Sequence, residues 1–316
     1  MEDKSLEVFI KKFNRLKVAT YKNSKAPHKP ILLLSIIQSI EQNELTTNKI
    51  YITANLVARF KDNWHHFVTN QNFTANFSLP FYHLQSEKFW FLKTLPGREI
   101  ALTTSHSIKS FSHLKDVVDY AFFDESLFGF LLDIKTRDVL KQTLLSTYFK
   151  VYSLEVRYHL SLVAGIKTEI LNEDPAVYKT KANSFDEEEV FIRDGVFKKV
   201  VPQIYNYTCC ISGMRIIASS EVQMIDACHI IPFSESHDDT ISNGISLCPN
   251  LHRAFNRGLI SVNGNYQVIV STAFAESSVD YSIKQYEGKR LSLPKDQAHF
   301  PSLGNLNWHL LNTFIK

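Results

Sequence analysis

"DACHIIPFSESHDDTISNGISLCPNLHRAFNRG", residues 226–258, decides how the C-terminal half of this 316-residue chain is read. It holds His229, His237 and His252, Cys228 and Cys248, and the pair Asn243-Gly244. Apolar and polar residues alternate into His229 and Pro232 then ends the pairing, which predicts a strand whose last residues point into a site. The loop SESHDDTISNG follows, and ISLCPNLHRAFNRG supplies a short strand and, from about Pro249, a helix. On that helix His252 and Asn256 lie four apart and share a face. Strand, loop, strand and helix can set one strand histidine opposite two helix ligands, with a divalent ion between them.

The pattern resembles the HNH (ββα-metal) nucleases. The residues that carry the likeness are CCISG at 209–213, ACHIIP at 227–232, NGISLC at 243–248 and HRAFNRG at 252–258. Asn243 follows His229 by 14 positions and His252 follows Asn243 by 9. Several elements in order at fixed spacing are far more specific than a lone His–Asn–His. The resemblance spans about 193–275 and implies a catalytic trio. His229 would be the general base for the water that attacks phosphorus, Asn243 would brace the loop and hold His229 in its rotamer, and His252 would ligate the ion. A histidine suits the first role because its ordinary pKa lies near neutrality. The ion would be Mg2+, Mn2+ or Zn2+, acting as Lewis acid and template.

Two positions depart from that family. Cys228 stands where Asp or His is usual, and a thiol suits zinc better than magnesium. Asp226, on the same strand face, could serve instead. Asn256 replaces the usual Asp and keeps an oxygen donor without the charge. The candidate metal set is therefore Asp226, Cys228, His252 and Asn256. Cys209 and Cys248 read as buried packing thiols, His237, Asp238 and Asp239 as loop residues, and His309 as a satisfied helix histidine.

Length and composition allow two globular domains, with 44% hydrophobic residues. The stretch ILLLSII at 31–37 is far short of the roughly 20 residues of a membrane span, and the N-terminus lacks a signal-peptide pattern, so a cytoplasmic location is expected. Four cysteines without a C-x-x-C pair make neither a disulfide framework nor a four-thiolate zinc site. The net charge of +3 excludes little, but residues 1–60 carry ten Lys/Arg against five Asp/Glu. That stripe runs through Lys11, Lys12, Arg15, Lys17, Lys22, Lys25 and Lys29 with aromatics interleaved, and it suits a phosphate backbone as well as a solvated helix face.

Residues 3–17 have the apolar spacing of an amphipathic helix. Pro30 is expected at the first position of a buried helix, with the loop KAPHK leading in and His28 and Lys29 at a helix N-terminus that suits a phosphate. FYHLQSEKFWFLKT at 81–94 reads as a hairpin, and 112–163 as mostly helical. Residues 165–190 read as a partly ordered connection, and RDGVFKKVVPQIY as a helix interrupted or begun near Pro202. The expected class is α+β, with a mainly helical DNA-recognition domain with a small hairpin over 1–164, a linker over 165–190 and the ββα-metal domain over 191–316.

APHKPILLL and LPFYHLQSEKFWFL, over roughly 20–95, resemble the sulfur-binding domains that precede HNH modules in type IV, modification-dependent restriction endonucleases. The resemblance implies a shallow apolar cavity built around Pro80, with Leu79 before it, Phe81 packing behind, and His28, Lys29, His83, Lys22 and Lys25 toward DNA. Leu79 stands where that family prefers an aromatic. The implied function is a DNA endonuclease recognising phosphorothioated duplex. The alternatives are an HNH nuclease reading a modified base or unmodified sequence, and a DNA-binding protein with a decayed nuclease site. The partner is double-stranded DNA, and a homodimer is one way to cut both strands.

Overall fold

The computed structural model describes residues 5–22, 24–69, 72–98, 108, 110–149, 161–216, 224–277 and 281–316. The chain divides into two compact units, 1–163 and 164–316. Residues 150–160 of the stretch read as helical, and 217–223 ahead of the HNH strand, lie outside the described residues.

The first unit contains α1 (Leu6–Asn14), the short pair β1 (Thr20–Tyr21) and β2 (Ser24–Lys25), α2 (His28–Glu41), α3 (Ala54–Phe67), α4 (Ser78–His83), β3 (Trp90–Thr94), α5 (Phe111–Val117), β4 (Val118–Phe123), α6 (Glu125–Leu132) and α7 (Ile134–Leu144). Every side chain of α2 from Lys29 to Ile40 is buried. A helix apolar all round has no solvent face, so it becomes the centre of the unit, packed by α3, α4 and α7. Two of its polar residues are satisfied by α3: Asn63 Nδ2 donates to Ser35 Oγ at 2.9 Å and to Gln38 Oε1 at 2.8 Å. Around it Phe9, Phe13, Phe60, Phe77, Phe81, Phe89 and Trp90 are fully buried.

Two sequence expectations change here. The helix starts at His28 rather than at Pro30, which becomes its third residue. N–H groups of the first turn have no intrahelical partner, so proline is harmless there. The stretch 81–94 does not fold back on itself: its first part is helical, with Asn76 Oδ1 accepting from Leu79 N at 3.0 Å, and β3 pairs antiparallel with the distant β4.

The second unit begins within α8 (Ser161–Asn172) and continues through α9 (Pro175–Ala182), α10 (Glu187–Ile204), β5 (Asp226–His229), α11 (Phe233–Ser236), β6 (Gly244–Leu247), α12 (Pro249–Asn256), β7 (Ile260–Val262), β8 (Val268–Val270) and α13 (Leu303–Asn312). The stretch expected to be a linker is therefore helical. Asp174 caps α9 at Ala176 N, and Asp186 caps α10 at Glu189 N with Glu187, Glu188 and Glu189 in its first turn, where acids complement the helix dipole. Pro202 lies in the last turn of α10 and neither starts nor divides it. β5 and β6 pair antiparallel, Asp226 opposite Leu247 and His229 opposite Gly244, with α10 packed on both strands and α12 on β5 and β7. No helix among the described residues is long and apolar enough to cross a membrane.

Lys29 is one of several buried charges in the first unit. Its ammonium donates to Lys17 O at 2.7 Å, Ser86 Oγ at 2.8 Å and Glu87 Oε1 at 2.5 Å. All three donors are thus engaged within the unit, while Lys29 also lines the cavity around Pro80. Lys29→Ala would leave Glu87 buried without its cation, and stability measured by urea unfolding should fall by about 3–5 kcal/mol. A loss under about 1 kcal/mol would show that the pair contributes no more than a surface one.

Candidate functional site

The ββα element assembles around strand β5. Its alternation turns Asp226 and Cys228 toward α12, where His252 Nδ1 donates to Asp226 Oδ2 at 3.1 Å and Cys228 Sγ lies 3.5 Å from Asn256 Oδ1. His252 is thereby fixed with its proton on Nδ1, leaving Nε2 as the lone pair for a ligand. Asn256 is exposed and Asp226 half-buried. Cys228 is fully buried, and desolvation, with Asp226 nearby, pushes its thiol well above the usual range. Cys228 is the enclosed member of the expected metal set, and the exposed edge of the site is formed by nitrogen and oxygen donors. Among the described residues no three of His, Cys, Asp or Glu converge as a metal cage.

His229 turns the other way. Its ring stacks on Phe197 of α10, centroids 3.9 Å apart and planes within 8°. Its Nε2 donates to Asp239 Oδ1 at 2.8 Å. The sequence reading assigned this rotamer to Asn243 and left Asp239 as a loop residue. Asn243 braces the loop, donating from Nδ2 to Ile231 O and Asp238 O, both at 2.9 Å, and accepting from Ile231 N at 2.9 Å. The carboxylates that it encloses, Asp238 and Asp239, are each 1% exposed. Two adjacent acids beside a histidine were a signal in the sequence. Phe197 and Tyr178, whose hydroxyl donates to Asp239 Oδ2 at 3.2 Å, gave none.

The four cysteines are free and buried. Cys209 and Cys248 share a hydrogen bond, and the partnership lowers the Cys209 thiol to about 5. His309 is satisfied on both nitrogens, by Ser261 Oγ at 2.9 Å and by donation to Phe255 O at 3.1 Å, and it stacks on Phe255 of α12 at 3.6 Å.

In the first unit, a cavity of about 500 Å³ is lined by Val18, Phe73, Leu79, Pro80, His28 and His83 among others. Phe81 is buried beneath it, edge-on to Trp90 at 5.3 Å. His28 Nε2 donates to Thr74 O at 3.0 Å and its ring lies 4.6 Å from Trp64. Burial lowers the pKa of His28, and burial together with the Lys29 charge lowers that of His83, so both favour the neutral imidazole; Lys17, Lys29 and Ser86 add polar groups to otherwise apolar walls. Lys22 and Lys25 stand exposed on the β1–β2 hairpin. A second, basic depression of about 370 Å³ is lined by Lys11, Lys12, Arg15, Lys17 and Lys88.

Two features of the strand–helix site can be tested directly. A Cβ on Gly244 would lie 2.8 Å from Val201 Cγ2 and 3.1 Å from the Phe197 ring, so the residue opposite His229 has no room for a side chain. Gly244→Ala should cost about 1–3 kcal/mol in chemical denaturation, and a cost under about 0.5 kcal/mol would show that α10 yields freely. Burial lowers the His309 pKa to about 4 from its ordinary 6.5. The unfolded chain therefore takes up this proton first as pH falls. Stability supplied by the neutral imidazole is complete above pH 6.5 and lost on the way down to about 4, a total on the order of 3 kcal/mol. Urea unfolding of wild type against His309→Phe should show that slope in wild type and a flatter one in the variant.

The family model described as HNH endonuclease matches residues 209–263, and the one described as ScoMcrA-like, DNA sulfur-binding domain matches residues 6–155. No curated protein matches the chain. Among solved structures, the "Modification dependent TagI restriction endonuclease" aligns at 21% identity over 36% of this chain and 35% of that one, with a TM-score of 0.29. This chain thus spans about a third of the length of that enzyme. The "Sulfur binding domain of ScoMcrA complexed with phosphorothioated DNA" aligns at 16% identity over 47% of this chain and 91% of that one, with a TM-score of 0.38. The chain carries a ScoMcrA-like DNA sulfur-binding domain followed by an HNH endonuclease domain.

Proposed function

We propose that the protein is a modification-dependent DNA endonuclease, acting in the cytoplasm, that recognises phosphorothioated duplex through its first unit and hydrolyses phosphodiester bonds with the HNH centre of its second. The observation that carries this reading is the presence in one chain of a cavity around Pro80 with apolar walls and two imidazoles, and of an HNH motif in which His229 and His252 are each held by a carboxylate. Sulfur in place of a non-bridging phosphate oxygen is larger, more polarizable and less strongly hydrated. Apolar walls and neutral imidazoles therefore cost it less desolvation than they cost an oxyanion. The basic depression and the hairpin lysines supply the sequence-independent attraction to the flanking backbone.

In the nuclease centre His229 takes the proton of the water attacking phosphorus, Asn243 holds the loop and His252 binds the ion. HNH nucleases generally use a divalent metal ion. The donor set here, His252 Nε2 and the exposed Asn256 amide with the Asp226 carboxylate beside them, fits a hydrated cation such as Mn2+ or Mg2+ that draws its remaining ligands from water and the DNA phosphate. When bound, the ion supplies Lewis-acid stabilisation of the leaving 3′-oxygen. Asp226 orients His252 through Nδ1, a supporting contact of the kind that tunes metal-binding histidines. One such centre cuts one strand per visit, so a double-strand break calls for a second copy, as in a homodimer, or a second visit.

Cys228 and the uncharged Asn256, the two departures from the family pattern, favour a second reading, a DNA-binding protein whose nuclease site has decayed. One experiment separates the two. Phosphorothioated and plain duplexes of identical sequence are incubated with the protein in Mg2+ or Mn2+. Cuts are expected in the modified duplex alone, and His229→Ala should reduce their rate by about 100-fold to 10,000-fold. Equal cutting of both duplexes removes the modification dependence. Inert wild type across metals, with retained binding to the modified duplex, leaves the decayed reading.

A further inference from the structure

Three helices ahead of the matched HNH residues converge on the imidazole of His229. Phe197 of α10 covers one face of the ring. Asp239 receives its Nε2 proton at 2.8 Å and accepts the Tyr178 hydroxyl, from α9, on its other oxygen at 3.2 Å. The hydroxyl lies 3.5 Å from Arg193 NH1 of α10, and that guanidinium is fixed by Glu169 of α8 at 2.7 Å, by Glu189 at 3.0 Å and by the Phe185 ring, 3.9 Å from its centroid. Tyr178 and Asp239 are 0% and 1% exposed. Such a chain is more than a loop staple needs, because Asn243 already ties the loop through its backbone.

We propose that Asp239, oriented by Tyr178 and Arg193, is a positioning residue for DNA hydrolysis: it fixes His229 as the Nε2–H tautomer, so that Nδ1 is the atom that takes the proton from water. A carboxylate only accepts hydrogen bonds, so the imidazole facing it must donate. Tyr178 supplies the donor for the other oxygen, which leaves Oδ1 to His229 alone. Phe197 removes the remaining freedom of the ring by stacking. After proton transfer the buried carboxylate faces the imidazolium that results, the arrangement in which an oriented acid most favours its base. This inference rests on the nuclease reading for its chemistry but not for its geometry.

Asp239→Asn tests it with little change of shape. Tyr178 would still donate to the amide oxygen, and the amide nitrogen would then present a donor to His229 Nε2. The imidazole should answer by moving its proton to Nδ1, which blocks the base. On phosphorothioated duplex with Mn2+, kcat is expected to fall about 100-fold or more with KM unchanged. Tyr178→Phe should lose less, about 5-fold to 20-fold, and Asp239→Glu should recover part of the loss. In 15N-histidine spectra, with the His229 resonance assigned by its absence from His229→Ala, wild type should show Nε2–H and Asp239→Asn the Nδ1–H form. A wild-type Nδ1–H tautomer, or kcat retained within threefold in a folded Asp239→Asn, overturns the proposal. Should that variant not fold, an unchanged tautomer and an unchanged kcat in Tyr178→Phe do the same. Wild type that cuts no DNA sinks the nuclease reading, and the tautomer then decides the positioning role by itself.

Discussion

The side-chain amide of Asn243 is the constraint on which the nuclease centre depends. It is fully buried, and each of its hydrogen-bonding positions is filled: Oδ1 accepts from Ile231 N and from Asn305 Nδ2, and Nδ2 donates to Ile231 O and Asp238 O. These bonds join the exit of β5, the far side of the loop, the start of β6 and α13. A loop tied in this way can hold two adjacent carboxylates away from water. Any side chain lacking the amide would leave several buried backbone groups unsatisfied, at about 1–3 kcal/mol each. The same closure carries Asp239 to His229, so the orientation of His229 depends on a residue that never touches its ring.

What the sequence made legible follows from how far apart the interacting residues stand. The strand, loop, strand and helix of 226–258 are local, and the spacing of His229, Asn243, His252 and Asn256 is enough to place them. The direction in which each side chain turns is not local. Asp239 reads as a solvated loop acid because its burial depends on Asn243 and on Tyr178, 61 positions earlier. Nothing near Lys29 announces its partner Glu87, 58 positions later. Residues 165–190 read as a connection because their apolar positions are few, yet Ile166, Ile170, Tyr178 and Ala182 are buried. The caps Asp174 and Asp186 were visible there, and they mark α9 and α10 better than composition does.

The two candidate sites use histidine in opposite ways. In the cavity of the first unit, burial favours the neutral imidazole, and the local cation Lys29 is held by Glu87. The apolar part of such a wall would discriminate by hydration, because the ligand that surrenders least water enters it most easily. In the second unit, His229 and His252 each have a carboxylate on one nitrogen, Asp239 and Asp226. The proposed uses there, as base and as ligand, both need one nitrogen protonated and the other free. Identical side chains thus acquire different chemistry from what faces them.

The nuclease module is larger than its motif. Residues 209–263 contain the strand, the loop and the helix, but several contacts that hold them come from outside. Phe197 and Val201 of α10 press on Gly244 and on the His229 ring. His309 of α13 stacks on Phe255 and accepts or donates at both nitrogens. Gly258, at φ +69, brings the chain so close to the C-terminal segment that a Cβ would meet Thr313 O at 2.1 Å, and its carbonyl accepts from Ile315 N at 2.9 Å. The glycine that ends the motif is therefore required by a segment 55 residues later. The motif supplies the candidate groups, whereas the helices on either side of it in the sequence determine how those groups are held.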